Sequence, residues 1–213
     1  MTKIFNKDEG FTGLEAAIVL IAFVVVAAVF SYVVLGAGFF KTQKAQQVIY
    51  TSVDQASSSV EIMGDVYGIN YGVEPITHFD YIRFTVGLTS GGSPVDFSQT
   101  TMAYSAQNFT GVKYLTNITN APLLTPGASG AVEGYVQENV TEGKWGVVLI
   151  NNGDGTSTDL LLENQEQFVI YANPGFPLVA NEKFNLEISP SVGTSYVVAR
   201  KAPARVEKVS VLY

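Results

Sequence analysis

Residues 11–40 read FTGLEAAIVLIAFVVVAAVFSYVVLGAGFF, thirty positions with a single charge, Glu15. From Ala16 to Phe30 every residue is apolar. As a helix this run reaches about 45 Å, whereas the hydrocarbon of a bilayer is spanned by about 20 residues. Its many valines favour strand in water, but an apolar stretch this long has to satisfy its own backbone polar groups wherever lipid surrounds it, and that selects helix. No proline interrupts it, the first in the chain being Pro75. The helix is therefore expected to run unbroken.

What surrounds this stretch narrows the class further. Hydrophobic residues make up 47% of the chain and charged ones 15%, which is too apolar and too weakly charged for a disordered protein. The formal charge of −7 argues against a nucleic-acid binder that works by neutralising phosphates. Without cysteine there is no disulfide, no thiol nucleophile and no thiolate metal site, and the one histidine, His78, leaves little for a histidine metal centre. A glycine-rich phosphate loop, a nucleophile elbow and a plausible carboxylate pair are all missing from the sequence, so neither an enzyme nor a cofactor or metal is expected.

Before the apolar run stand only Met1–Gly10, where Lys3 and Lys7 are offset by Asp8 and Glu9. A secretory signal has a shorter apolar region and a small-residue exit, and neither is present. A cut after Gly10 would instead leave the whole helix on the mature chain. The segment Gly10-Phe11-Thr12-Gly13-Leu14-Glu15, with the helix from Ala16 to Tyr32 and the later Val33–Phe40, resembles the class III (type IV pilin-like) leader and core helix. Its nearest likeness is to archaellins, the filament proteins of the archaeal flagellum.

That resemblance implies a leader at residues 1–10, with Gly10 and Phe11 as the junction cut by a membrane peptidase of the pre-archaellin type. It implies that Glu15 compensates the new ammonium of Phe11 inside a packed helical core. Physics alone allows a plainer role for Glu15, since a negative charge near a helix start suits the dipole. Gly13, Gly36 and Gly38 would let neighbouring helices approach closely, or they merely weaken the helix locally.

After Lys41 the pattern turns amphipathic, with Ala45, Val48, Ile49, Val53, Ala56, Val60 and Ile62 at spacings near three and four. The spacing predicts a helix from about Thr12 to Met63, so that residues 11–63 form a hydrophobic then amphipathic rod and 64–213 an outer domain. One face of the amphipathic half is expected to pack, most simply on that domain.

From Ile76 the period becomes alternating. Ile82, Phe84, Val86 and Leu88 interleave with Tyr81, Arg83 and Thr85, and further strands are expected near Gln99–Tyr104, Gly111–Leu115, Ala131–Gln137, Trp145–Ile150, Leu160–Glu163, Gln167–Ala172, Phe184–Ile188, Ser195–Arg200 and Arg205–Leu212. Turn signals at Gly91-Gly92-Ser93-Pro94, Pro126-Gly127, Asn152-Gly153, Asn173-Pro174-Gly175 and Ser189-Pro190 separate them. The fold class expected is α+β: one long N-terminal helix followed by an antiparallel, Ig-like sandwich or barrel.

Sequons begin at Asn108, Asn117 and Asn139, candidates for N-glycosylation on an exported surface. The oxygen-rich loop Asn151–Asp159 lacks the register of a calcium loop, and an Asn-Gly turn accounts for it more simply. Arg200, Lys201, Arg205 and Lys208 form a basic C-terminal cluster that could meet a neighbour's acidic face or lie solvated.

These features and the resemblance together imply a homopolymer, open to other archaellins, built as an extracellular filament for swimming. The precursor would sit in the cytoplasmic membrane with its leader inside, and the partners would be the peptidase and an assembly and motor machine. Two other readings share the sequence: an archaeal adhesion pilin with the same core, and a membrane-anchored monomeric receptor that keeps its leader.

Overall fold

The computed structural model describes residues 7–119, 123–124, 132–153 and 159–213. They divide into two compact units, residues 1–52 and 53–213. The helix α1 runs from Lys7 to Ser57, 51 residues without a break, about 75 Å at 1.5 Å per residue.

It ends six residues before the expected stop at Met63. Ser58 and Ser59 are residue types whose side chains compete with helical hydrogen bonds, and the chain then turns extended. Val60 and Ile62 fit a helical stripe and an alternating strand equally well, and pairing decides between them. Val60–Ile62 forms strand β1, in antiparallel register with Val86–Leu88. Ser59 O accepts from Thr89 N at 3.2 Å, and Ser58 O from Thr194 N at 3.3 Å.

The remaining strands are β2 (Val66–Ile69), β3 (His78–Phe79), β4 (Tyr81–Leu88), β5 (Val95–Asp96), β6 (Thr101–Ala106), β7 (Phe109–Asn117), β8 (Lys144–Asn151), β9 (Leu161–Leu162), β10 (Gln167–Asn173), β11 (Leu178–Val179), β12 (Lys183–Ser189), β13 (Tyr196–Lys201) and β14 (Val209–Leu212). Ten of them make one sheet in the order β13-β12-β6-β7-β8-β10-β4-β2-β14, with β1 beside β4. Its two ends meet where Lys201 and Tyr213 exchange backbone hydrogen bonds of 2.6 and 3.0 Å, so the sheet nearly closes as a barrel. Pairing between the described strands is antiparallel except between β7 and β8, where Thr116 and Asn117 lie parallel to Lys144 and Trp145, and Leu124 adds a parallel bridge to Leu149.

Alternation explains why this sheet has an inside. Phe184, Leu186 and Ile188 of β12 are buried while Lys183, Asn185 and Glu187 between them are exposed. The interior is filled by Phe84, Tyr104, Trp145, Phe168 and Phe184, all essentially inaccessible. Phe97 meets Phe168 edge-on at 5.4 Å and Trp145 at 6.4 Å. Each such burial contributes roughly 1.5–3 kcal/mol, which makes this cluster the main source of stability for the domain.

One expected strand is a helix. Residues 131–137 contain Val, Tyr and Gly in a β-like mixture, yet Val132–Asn139 forms α2. Val132, Val136 and Val140 are spaced by four, and Val136 and Val140 bury against Ile69, Tyr81, Val148, Val169 and Tyr171 on the outside of the barrel. That second cluster outweighs the local strand preference. Strand β2 follows Gly64, which turns the chain at φ 82°. Gly68 lies within β2 because a side chain there would strike the Phe79 ring at 2.7 Å. The expected turn at Pro126-Gly127 lies outside the described residues.

Burial holds the Tyr104 hydroxyl proton above the ordinary tyrosine value of about 10, with the charge of Glu182 acting in the same direction. Tyr71 is shifted upward too, by burial first and by Tyr171 second. A raised acid in the folded state means that the unfolded chain releases its proton first, so this stability is complete below about pH 10 and falls as the pH rises beyond it. Thermal unfolding of the detergent-solubilised chain, followed by near-ultraviolet circular dichroism from pH 9 to 11.5, should show that fall, and a shallower one in Tyr104→Phe.

Candidate functional site

The barrel leaves little outside that needs covering; the helix leaves almost everything. From Gly13 to Val53 every side chain described on α1 is exposed, including Phe23 at 74%, Phe30 at 68% and Tyr32 at 79%. A surface of this extent is far beyond the few hundred Å² of contiguous apolar patch that soluble monomers carry. The functional surface of this chain is accordingly the rod itself.

The backbone of the rod needs nothing from outside. Thr42 Oγ1 donates to Gly38 O at 2.9 Å and Thr51 Oγ1 to Gln47 O at 3.0 Å, so even these hydroxyls are satisfied within the helix. Val48, Ile49 and Val53, the stripe expected to be packed, are each more than half exposed.

Glu15 lies on this surface, on the face that carries Ala16, Val19, Leu20, Phe23 and Val24. In water such a carboxylate is at ease. Surrounded by apolar side chains it becomes an unpaired charge, expensive without a cation. Gly10 and Phe11 fall within the helical backbone, Phe11 four positions before Glu15. At Gly13, Gly36 and Gly38 an added Cβ would meet nothing within 4 Å, so no contact inside the chain accounts for glycine there.

The three sequons differ in geometry. Asn108 is exposed at the two-residue tip between β6 and β7. Its tip is held from below by the buried Glu182, whose Oε1 accepts from Asn108 N at 3.1 Å and whose Oε2 accepts from Val179 N at 3.0 Å. Asn117 Nδ2 donates to Phe97 O at 2.7 Å and Asn139 Nδ2 to Tyr135 O at 2.9 Å, and both are partly buried. Only Asn108 presents an amide that no described neighbour engages.

His78 has a partner the sequence did not reveal, Asp80 Oδ1 at 3.1 Å from its Nε2. The pair lines an open cavity of about 500 Å³ with Thr141, Glu142 and Asn173. Among the described residues no three His, Asp or Glu converge as metal ligands. The Asn151–Asp159 loop is described only at its ends, with Asn152 at φ 59° as an Asn-Gly turn requires. Of the basic cluster, Arg205 pairs with Glu207 at 3.2 Å in the open, which contributes little.

An unbroken helix with Glu15 near the start of its apolar run, joined in one chain to a β-domain, is the build of the type IV pilin-like class. The archaeal-type flagellin family model matches residues 10–200, and the chain belongs to that family. The chain is 36% identical over 218 residues to a probable flagellin 1 of Archaeoglobus fulgidus, covering 99% of this chain and 98% of that one. A 24 kDa flagellin of Methanospirillum hungatei is 91% identical over 32 residues, 15% of this chain and all of that sequence. A solved structure of the archaeal flagellum of Methanospirillum hungatei strain JF1 superposes with a TM-score of 0.67 at 32% identity, covering 94% of this chain and 99% of that one.

Proposed function

We propose that this chain is the structural subunit of an archaellum, an extracellular helical filament that drives swimming. The single observation that carries this reading is the bare rod: Gly13–Val53, 41 residues, is long and apolar enough to cross a membrane, and its described side chains are exposed. Two apolar surroundings suit it, a bilayer before assembly and copies of itself afterwards. Moving between them exchanges one apolar contact for another, so the transfer has little hydrophobic driving force and calls for an energy-consuming assembly machine. Packing of identical rods in a contact that does not close into a ring gives an open helical fibre, with the β-domains as its sheath.

The leader of residues 1–10 is removed by a membrane peptidase cutting between Gly10 and Phe11. The cut creates an ammonium one helical turn from Glu15, on the same chain or brought close by a neighbour, and the two charges then enter the apolar core as a pair rather than singly. Gly13, Gly36 and Gly38 give neighbouring rods room to approach.

The N-terminus of protein sheared from cells tests the reading as a whole. Phe11 as first residue of polymeric material is expected, and a chain that keeps Met1 and stays in membranes would overturn it. Glu15→Gln should leave leader removal intact but strand the Phe11 ammonium, a loss of about 3–5 kcal/mol and hence more than a tenfold drop in sheared polymer by immunoblot. Glycopeptide mass spectrometry of the filament should find Asn108 occupied to a greater extent than Asn117 or Asn139, whose amides are already engaged.

A further inference from the structure

We infer that the outer domains of adjacent subunits bind one another head to tail, the basic face of β12 and β13 on one copy meeting the acidic face of α2 on the next. The inference rests on the filament reading and adds to it a contact outside the helical core.

The first observation is an arrangement that costs the isolated chain energy. Lys183 of β12 and Lys201 of β13 are direct cross-strand partners, both exposed on the same face. Like charges placed directly opposite on a sheet are destabilising. The ion pairs among the described residues are His78–Asp80 and Arg205–Glu207, so neither lysine is offset in this way. Beyond the lysines the same face carries Asn185 paired with Ala199, and one carboxylate, Glu187, opposite Val197, which is 52% exposed. With both lysines at one end, such a patch is suited to a protein partner carrying the opposite charge there.

The second observation is where the opposite charge stands. Glu133 and Glu138 are exposed on α2, Glu142 is exposed just beyond it, and none is in an ion pair among the described residues. The helix lies over β2, β4, β8 and β10. Around the nearly closed sheet, β6, β7 and β8 separate β12 from β10 in one direction, and β14 and β2 separate β13 from β4 in the other. The acidic and basic faces therefore occupy opposite walls of one barrel. A domain with complementary charges on opposite walls cannot neutralise itself, and a partner copy supplies to each wall what the other carries. This is a heterologous contact, which propagates as an open helix where its rotation does not close a ring.

Exposed ion pairs contribute about 0–1 kcal/mol each, too little to assemble free domains. Once the rods are packed, however, neighbouring barrels are tethered at high effective concentration, and weak contacts repeated in every subunit add up along the fibre.

The test uses cells whose sole copy of this chain is a variant, with sheared polymer measured relative to membrane precursor. Lys183→Glu with Lys201→Glu, and separately Glu138→Lys with Glu142→Lys, should each lower polymer at least fivefold at unchanged precursor. All four together should restore it to within twofold of the unaltered chain. The contact is overturned if either reversal leaves polymer unchanged, or if the fourfold variant is no better than the worse of the two. Should a reversal reduce precursor, the neutral pairs Lys183→Gln with Lys201→Gln and Glu138→Gln with Glu142→Gln are read instead: at least a twofold fall in polymer is expected, and no fall overturns the contact. Absence of polymer from the unaltered chain would defeat the filament reading itself, whereas polymer that ignores these charges defeats only this contact.

Discussion

A helix that satisfies its own backbone but leaves its side chains uncovered sets the terms for everything else in this chain. Along α1 the peptide groups bond within the helix, and the hydroxyls of Thr42 and Thr51 fold back onto it. What remains is a cylinder of Val, Ile, Leu, Phe and Ala side chains that water penalises strongly. Such a segment is never complete alone. Whatever apolar surroundings cover it are as much a part of its structure as its hydrogen bonds.

The barrel answers a different requirement. It has to be stable in water on its own account while joined to a segment that is not, and it does so with a closed interior centred on Phe97, Trp145 and Phe168. Near-closure of the sheet at Lys201 and Tyr213 also limits the free strand edges on which neighbouring domains could pair indiscriminately.

Much of this was legible from residue order because the strongest signals are the longest. Thirty residues with one charge admit a single reading, and alternation over Tyr81–Leu88 and Lys183–Ser189 fixes strand and face together. Short segments were ambiguous for a physical reason: Val60 and Ile62 satisfy two periods, and the fate of Val132–Asn139 depends on Val148 and Val169, which lie far along the chain. The candidate site divides in the same way. The rod, Glu15 and its glycines follow from local sequence, whereas the engagement of Asn117 by Phe97, the support of Asn108 by Glu182 and the facing of Lys183 with Lys201 are products of long-range pairing.

The first strand of the barrel domain is pinned at several places. Beyond Ser57 the chain is at once tied to three separate segments: Ser58 to Thr194, Ser59 to Thr89, and β1 to the interior strand β4. Losing any one of these ties leaves the other two in place, so the domain's entry resists fraying from its own end.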